Sequence, residues 1–247
     1  MAVFLDYDGV LTPIVEHPDL AVLAPEMRRT LEALAAATTV AIVSGRDVDD
    51  VIAKVAVPGL FYAGSHGLDI RAPSGAPVAD DELARFDAYL ADLDAAETEL
   101  NARLQGVPGT NVERKRFAIA VHYRQVPEEH HDTVAGAVES VAPEHPSLRV
   151  AGGKMIFELR PDIDWDKGKA LMWLLAEMEL DRPEVIPVYL GDDVTDEDAF
   201  RVIRERGVGV VVGREDLPSL ARYALADPGE VRVFLDELRA LSEKAAA

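Results

Sequence analysis

The alternation of short apolar runs with amphipathic segments constrains the fold of this chain more than any other feature. The apolar runs are AVFL (2–5), TVAIVS (39–44), LFYAG (60–64), VIPVYLG (185–191) and VGVVVG (208–213). Runs of this length are typical of strands that are buried on both faces, as in a parallel sheet. Apolar residues at helical spacing occupy the segments 24–38, 166–180, 196–207 and 234–244. This order predicts an α/β fold with a doubly wound, mostly parallel sheet and right-handed crossovers.

The middle of the chain has a different pattern. A stretch rich in Pro, Gly and Ala, at 70–80, predicts a linker, and a helix is expected from Asp81 to about Leu104. The segments 111–124 and 149–161 alternate apolar and polar residues, which is typical of strands with one open face.

These patterns predict three parts along the chain. Residues 1–75 and 161–247 are expected to form one α/β core, and residues 76–160 an inserted α+β module. The predicted strands of the module are separated by a further helix over about 127–142.

Composition excludes several classes of function. The chain has no cysteine, so a disulfide framework and a thiolate metal site are both impossible. Its 45 acidic residues outnumber 25 basic ones, and the formal net charge of −20 argues against nucleic acid and anionic membranes as partners. The first residues, MAVFLDYD, lack the basic region and long apolar stretch of a signal peptide. We therefore expect a soluble, cytoplasmic protein.

Acidic and small polar residues directly follow the predicted strands. The segments are DYDG (6–9), SGR (44–46), GSHG (64–67) and GDDVTDED (191–198). Ligands of an open parallel sheet bind beyond the carboxyl ends of its strands, so these segments are expected to converge. Converging carboxylates repel one another, and a hard cation such as Mg²⁺ relieves the repulsion. Asp6 and Asp192 are the natural carboxylate ligands, and a backbone carbonyl of the 6–8 loop could supply a third.

In this order, the motifs resemble those of the haloacid-dehalogenase (HAD)-type phosphatases, which use an aspartate nucleophile. The inserted module at 76–160 resembles the α+β cap of one branch. Within that branch, the chain is most similar to the trehalose-6-phosphate phosphatase family. The segments that carry the similarity are VERK (112–115), HYR (122–124), GGKMIFELRP (152–161), WDKGKAL (165–171) and YLGDDVTDEDAF (189–200). The resemblance spans essentially the whole chain and implies Mg²⁺-dependent hydrolysis of trehalose 6-phosphate.

The resemblance also implies catalytic roles. Asp6 is the implied nucleophile and forms an aspartyl-phosphate, which splits hydrolysis into two easier displacements. Asp8 is the implied general acid toward the departing sugar and then the base toward water, so its surroundings are expected to favour its protonated form. Ser44 is expected to donate a hydrogen bond to a phosphoryl oxygen. Lys167, rather than Lys169, is expected to neutralise charge on Asp6 and on the phosphoryl group.

The same resemblance implies metal and substrate ligands. The metal ligands are Asp6, Asp8 and Asp192, with support from Asp193 and Asp196. The substrate contacts are Gly45, Arg46, His66, Glu113, Lys115, Arg124, Lys154 and Glu158. Strand alternation places Arg124, Lys154 and Glu158 on the open face of the module. If 111–124 is one strand, alternation instead turns Glu113 and Lys115 toward the helices.

Other readings of the sequence stay open. The substrate could be another sugar phosphate, such as sucrose 6-phosphate or a mannosyl-glycerate phosphate. A phosphomutase shares the core motifs, and a non-catalytic sugar-phosphate sensor would share the fold. The expected partner is a small-molecule sugar phosphate, and functional pairing with a trehalose-phosphate synthase is a further expectation of the resemblance.

Overall fold

The structure is a computed structural model that describes residues 1–76, 78, 85–153, 155–213 and 218–246. It divides into two compact units: Met1–Val78 together with Trp165–Ala247, and Ala79–Asp164. The role of residues 76–160 as a cap stays a prediction. Within the described ranges, no helix has the length and hydropathy needed to cross a membrane.

The first unit contains a seven-stranded sheet. Its strands are β1 (Ala2–Leu5), β2 (Thr39–Val43), β3 (Phe61–Gly64), β4 (Asp69–Arg71), β9 (Pro187–Gly191), β10 (Val208–Val212) and β11 (Tyr223–Leu225). The order across the sheet is β11-β10-β9-β1-β2-β3-β4, and only the pairing of β3 with β4 is antiparallel. The predicted mostly parallel α/β sheet is confirmed, and β1 lies at its centre.

Helices cover both faces of this sheet because its central strands are apolar on both sides. The helices of the unit are α1 (Pro25–Ala37), α2 (Val48–Val55), α5 (Lys167–Glu177), α6 (Glu197–Ile203) and α7 (Pro228–Ala246). All four residues of β1 are fully buried. Helix α1 begins at Pro25, whose fixed φ suits a first turn, and buries Met27, Leu31 and Leu34. Burial of each such side chain contributes about 1.5–3 kcal/mol.

The second unit is a four-stranded antiparallel sheet with helices on one face. Its elements are α3 (Leu90–Leu104), β5 (Asn111–Lys115), β6 (Ala118–His122), α4 (His131–Val141), β7 (Leu148–Gly153) and β8 (Ile156–Pro161). The strand order is β5-β6-β8-β7. Ile119, Val121 and Leu159 pack in one apolar core with Leu93 and Leu100 of α3. The opposite face of the sheet, here called the open face, carries the alternate residues of each strand.

Each of the two segments predicted as a single alternating strand is a hairpin. In 111–124 the chain reverses at Arg116 and Phe117, because Lys115 pairs directly with Ala118. Two-residue turns usually contain Gly or Asn, so a turn of Arg and Phe gives little sequence signal. In 149–161 the chain reverses between Gly153 and Ile156, and Met155 adopts a positive φ of 65°.

Candidate active site

Asp6 and Lys167 form a buried ion pair at the centre of the parallel sheet. Asp6 directly follows β1, and its backbone N–H continues the pairing with β9 by donating to Leu190 O (3.0 Å). Lys167 is the first residue of α5, and its side chain is only 2% exposed. Its Nζ donates to Asp6 Oδ2 (2.5 Å) and to Asp196 Oδ1 (2.7 Å). The backbone N–H of Lys169, the other lysine of the motif, donates to the helix-capping Asp166.

Asp196 is a fully buried carboxylate that connects four donors. Besides Lys167, its Oδ1 accepts from the Tyr189 hydroxyl (2.6 Å). Its Oδ2 accepts from the backbone N–H groups of Asp192 (3.0 Å) and Asp193 (2.9 Å). Asp196 therefore fixes both Lys167 and the loop that follows β9. The sequence analysis did not assign a role to Tyr189, although it is the one hydroxyl-bearing residue in the apolar run VIPVYLG.

Asp6, Asp192 and Asp196 form an acidic cluster that could hold a cation. Each offers an oxygen, and these oxygens lie within 4.8 Å of one another. Burial, with the nearby charges of Asp6 and Asp196, raises the pKa of Asp192 to about 8. Burial also raises the pKa of Asp6 to about 7, against the opposing charge of Lys167. Three carboxylates facing one ammonium group leave a negative excess that a divalent cation would balance.

The chemistry of the acidic cluster fits a hard divalent cation. Such ions take oxygen ligands, and the cluster supplies only carboxylate oxygens. Gly9 has a positive φ of 73°, and a Cβ at this position would lie 2.1 Å from Asp192 Oδ2. A glycine is therefore required beside the Asp192 carboxylate. Asp193 is exposed, and its side chain accepts from Val194 N (2.7 Å), so it caps the turn that leads to Asp196.

The carboxylate of Asp8 lies in an ion pair with Arg46 and is not part of the acidic cluster. Arg46 Nε donates to Asp8 Oδ2 and Arg46 Nη2 to Asp8 Oδ1, each at 2.7 Å. Burial opposes the charge of Arg46, but its hydrogen bonds and charge interactions with Asp8 and Asp50 outweigh burial and raise its pKa. A fork of this kind holds the carboxylate by two parallel hydrogen bonds. The expectation that the surroundings of Asp8 favour its protonated form stays a prediction.

Ser44, Gly45 and His66 lie in two loops that hold each other in place. His66 N donates to Ser44 O (2.9 Å), and Ser65 N donates to Arg46 O (2.7 Å). A Cβ at Gly45 would lie 2.8 Å from His66 Cε1, so glycine allows the imidazole to approach the backbone. Ser44 is buried, and its Oγ accepts from Arg46 N (3.1 Å), which leaves the hydroxyl hydrogen to donate elsewhere.

Three substrate-binding candidates of the second unit, Glu113, Lys115 and Glu158, share the open face. Register places Glu113, Ala120 and Glu158 in one row across three strands. Lys115 Nζ contacts Glu158 Oε1 (3.4 Å), and His122 Nε2 contacts Glu113 Oε2 (2.8 Å). The prediction that alternation turns Glu113 and Lys115 toward the helices is therefore wrong, because the turn at 116–117 resets the alternation.

Two further candidates have different positions. Arg124 is exposed and follows the end of β6, next to Tyr123, whose backbone N–H donates to Met155 O (3.1 Å). Lys154 lies outside the described residues. Their roles as substrate ligands stay predictions.

Comparison with known proteins gives a consistent result. Residues 4–229 match the family model described as trehalose-phosphatase. The chain is 45% identical over 241 residues to a trehalose-phosphate phosphatase of Mycobacterium tuberculosis, and 41% identical over 250 residues to a trehalose 6-phosphate phosphatase of Zea mays. These alignments cover 96% of this chain in both cases, but 61% and 69% of the respective relatives. The chain thus spans less than two thirds of the mycobacterial protein.

Solved structures share the fold over nearly the whole chain. One is the crystal structure of a trehalose-6-phosphate phosphatase related protein, with a TM-score of 0.83, 24% identity and coverage of 99% of this chain and 100% of the other. Another is trehalose-6-phosphate phosphatase of Aspergillus fumigatus, with a TM-score of 0.63, 29% identity and coverage of 97% and 93%. Because the family model matches well over half of its residues, the chain belongs to the trehalose-phosphatase family.

Proposed function

We propose that this chain is a phosphatase that hydrolyses trehalose 6-phosphate to trehalose and phosphate, with Mg²⁺ as cofactor. The observation that carries the proposal is the buried arrangement of Lys167 with the acidic cluster, at the carboxyl ends of β1 and β9. Positioning and electrostatic stabilisation supply most of the catalysis in phosphoryl transfer, and this cluster is suited to both. The names of the relatives support the substrate.

Asp6 is the proposed nucleophile. An oxygen of its carboxylate forms a bond to phosphorus while the bond from phosphorus to the sugar oxygen breaks, which leaves an aspartyl-phosphate. The contact between Lys167 and Asp6 supports this role, because the ammonium group favours the ionised carboxylate and offsets phosphoryl charge. A divalent cation bound by Asp6 and Asp192 would neutralise further charge on the phosphoryl oxygens. Ser44 is proposed to donate its hydroxyl hydrogen to one of these oxygens.

Asp8 is the proposed acid and base. It gives a proton to the sugar oxygen as that oxygen leaves, and it then takes a proton from the water that attacks the aspartyl-phosphate. The second step releases phosphate and restores the Asp6 carboxylate. The second step requires an ionised Asp8 carboxylate, and Asp8 lies beside the Arg46 guanidinium. The first step requires Asp8 to carry a proton.

The open face of the second unit is proposed to bind the sugar. Glu113, Lys115 and Glu158 supply charged groups that hydrogen-bond hydroxyls, and the small Ala120 lies between the two acids in the row. Lys154, Arg124, Gly45 and His66 are proposed as further contacts from the family resemblance.

A substrate panel tests the function. Phosphate release would be measured with trehalose 6-phosphate, sucrose 6-phosphate, a mannosyl-glycerate phosphate and glucose 6-phosphate, each with Mg²⁺ and with EDTA. We expect the highest kcat/KM with trehalose 6-phosphate, and no turnover in EDTA. Equal rates across the panel would contradict the proposed substrate but not the proposed phosphatase reaction. An isomerised sugar phosphate in place of free phosphate would indicate a mutase.

The proposal extends to the location and partners of the protein. The acidic composition is consistent with a cytoplasmic protein whose partner is a small-molecule sugar phosphate. Functional pairing with a trehalose-phosphate synthase is proposed from the family resemblance. Co-purification of a synthase activity with the tagged protein from its native cells would support the pairing, and its absence at native expression would contradict it.

A further inference from the structure

Arg46 holds the Asp8 carboxylate by both oxygens. The two contacts, Nε to Oδ2 and Nη2 to Oδ1, are equal at 2.7 Å. Paired contacts of a planar guanidinium with a planar carboxylate fix both position and direction, which a single contact cannot do. Asp8 itself follows Tyr7, whose backbone carbonyl accepts from Leu11 N (2.9 Å) and Thr12 N (3.1 Å). The loop and the arginine together determine where this carboxyl group points.

Arg46 is itself held by neighbours other than Asp8. Its Nη1 donates to Asp50 Oδ2 (2.9 Å), and its Nη2 donates to Pro18 O (2.9 Å). Its guanidinium also lies over the Tyr7 ring, 5.3 Å from the centroid. The side chain is only 12% exposed. These hydrogen bonds to Asp8, Asp50 and Pro18 number four, and a guanidinium group has five N–H donors. Little of the group is therefore available to bind a substrate phosphate.

We propose that Arg46 is a positioning residue for Asp8 rather than a substrate ligand. This inference rests on the proposed function, in which Asp8 exchanges a proton with the leaving sugar oxygen. In that step the phosphorus–oxygen bond to the sugar breaks, the bond from phosphorus to Asp6 forms, and the proton on Asp8 moves to the sugar oxygen. Arg46 contacts both oxygens of Asp8 and so fixes the position and direction of the carboxyl group that gives the proton.

A double-mutant cycle separates positioning from direct binding. Kinetics with trehalose 6-phosphate would be measured for the wild type, Arg46→Gln, Arg46→Lys, Asp8→Ala, and Arg46→Gln combined with Asp8→Ala. We expect Arg46→Gln to lower kcat by about 10²-fold or more, the size of a general-acid contribution, with little change in KM. In the Asp8→Ala background, Arg46→Gln should cost less than about threefold more. Arg46→Lys should restore only part of kcat, because an ammonium group lacks the fork.

A second measurement varies the leaving group. The p-nitrophenolate ion leaves without being protonated, so hydrolysis of p-nitrophenyl phosphate should fall less than about tenfold in Arg46→Gln. Arg71→Gln is the matched control. The Arg71 side chain is also 12% exposed and pairs with Asp69 and Asp49, on a strand at the sheet edge. This variant should leave the ratio of the two activities at its wild-type value.

Three results would overturn the inference. They are an equal loss on both substrates, an undiminished loss in the Asp8→Ala background, and a raised KM with unchanged kcat. The last would make Arg46 a substrate ligand. If the wild type hydrolyses another sugar phosphate but not trehalose 6-phosphate, only the proposed substrate is refuted. The same double-mutant cycle would then be run with the sugar phosphate that is hydrolysed. A wild type inactive on every phosphate ester would overturn both proposals.

Discussion

The acidic cluster of the first unit has an excess of negative charge, whereas the charged side chains on the open face of the second unit are paired. In the cluster, Asp6 and Asp196 are buried and Asp192 is half-buried, and the three carboxylates outnumber their one lysine. The pKa values of Asp6 and Asp192 are raised. On the open face, acids and bases alternate in pairs, Lys115 with Glu158 and His122 with Glu113, and the side chains are partly exposed. Unbalanced charge is costly in a folded protein unless a ligand compensates it, whereas paired charge on a wet surface is stable by itself. The comparison predicts large effects from changes in the cluster and small ones from changes on the open face.

Replacement of Asp6 should have the largest effect on activity. Asp6→Asn removes the proposed nucleophile while keeping the side-chain volume, so turnover of trehalose 6-phosphate should fall by about 10⁴-fold or more. The fold should persist, because the change also removes a buried negative charge. Phosphate release and the circular dichroism melting curve of the same preparation would be measured. Substantial residual turnover would show that Asp6 is not the nucleophile.

Lys167 offers the sharpest contrast with a lysine of the open face. Lys167→Met leaves Asp6 and Asp196 buried without their cation, so the free energy of unfolding should fall by about 3–5 kcal/mol, and activity should be lost. Lys115→Met breaks a partly exposed pair and should cost about 0–1 kcal/mol. Urea denaturation of both variants gives the comparison. Equal losses of unfolding free energy in the two variants would show that the acidic cluster and the open face do not differ in this way.

The raised pKa values predict that the stability of the metal-free protein depends on pH. The pKa of Asp192 is about 8 and that of Asp6 about 7 in the folded chain, against about 3.9 for an aspartate in the unfolded chain. Between these limits the folded state binds more protons than the unfolded state, so the free energy of unfolding falls as pH rises from about 4 to 8. A bound cation removes this penalty by favouring the ionised carboxylates.

The Mg²⁺-induced rise in melting temperature should therefore be larger at pH 8 than at pH 6. Differential scanning calorimetry with Mg²⁺ and with EDTA would measure it. Asp192→Asn is the control and should abolish most of the difference between the two pH values. A Mg²⁺ effect that is the same at both pH values, or that persists in Asp192→Asn, would contradict the assigned site.

Changes on the open face should alter substrate binding and leave the chemistry intact. Glu158→Gln keeps the shape of the side chain and loses its charge, so KM for trehalose 6-phosphate should rise by about tenfold, with kcat nearly unchanged. Arg114→Gln is the control, since Arg114 lies on the other face of β5 and pairs with Asp94. A fall in kcat without a change in KM would place Glu158 in the chemistry instead.

The two regions also differ in how far the sequence predicted them. The cluster was predictable because Asp6 and Asp192 directly follow parallel strands and Asp196 lies in the loop after the second of them. Such strand ends meet at one edge of the sheet. Tyr189 was missed because a tyrosine in an apolar strand gives no sign that its hydroxyl contacts an aspartate. The pairing of Asp8 with Arg46 was also missed, because it depends on side-chain direction across two loops.

The open face was harder to predict because a two-residue turn can reset strand alternation. Arg116 and Phe117 carry none of the usual turn residues, so the segment 111–124 read as a single strand, and Glu113 and Lys115 were assigned to the wrong face. The segment 149–161 had the same difficulty, because its turn uses Met155 at a positive φ, which side-chain type did not indicate. Core positions such as Ile119 and Leu159 were unaffected, since each still alternates within its own strand.

Trapping the reaction intermediate tests the central claim most directly. Sodium borohydride reduces an aspartyl-phosphate to homoserine, and mass spectrometry of peptides from protein quenched during turnover of trehalose 6-phosphate locates the change. We predict homoserine at position 6, formed with Mg²⁺ and substrate together and absent when either is omitted. Reduction at Asp192 or another acid, or steady phosphate release with no reduced residue at position 6, would contradict the account.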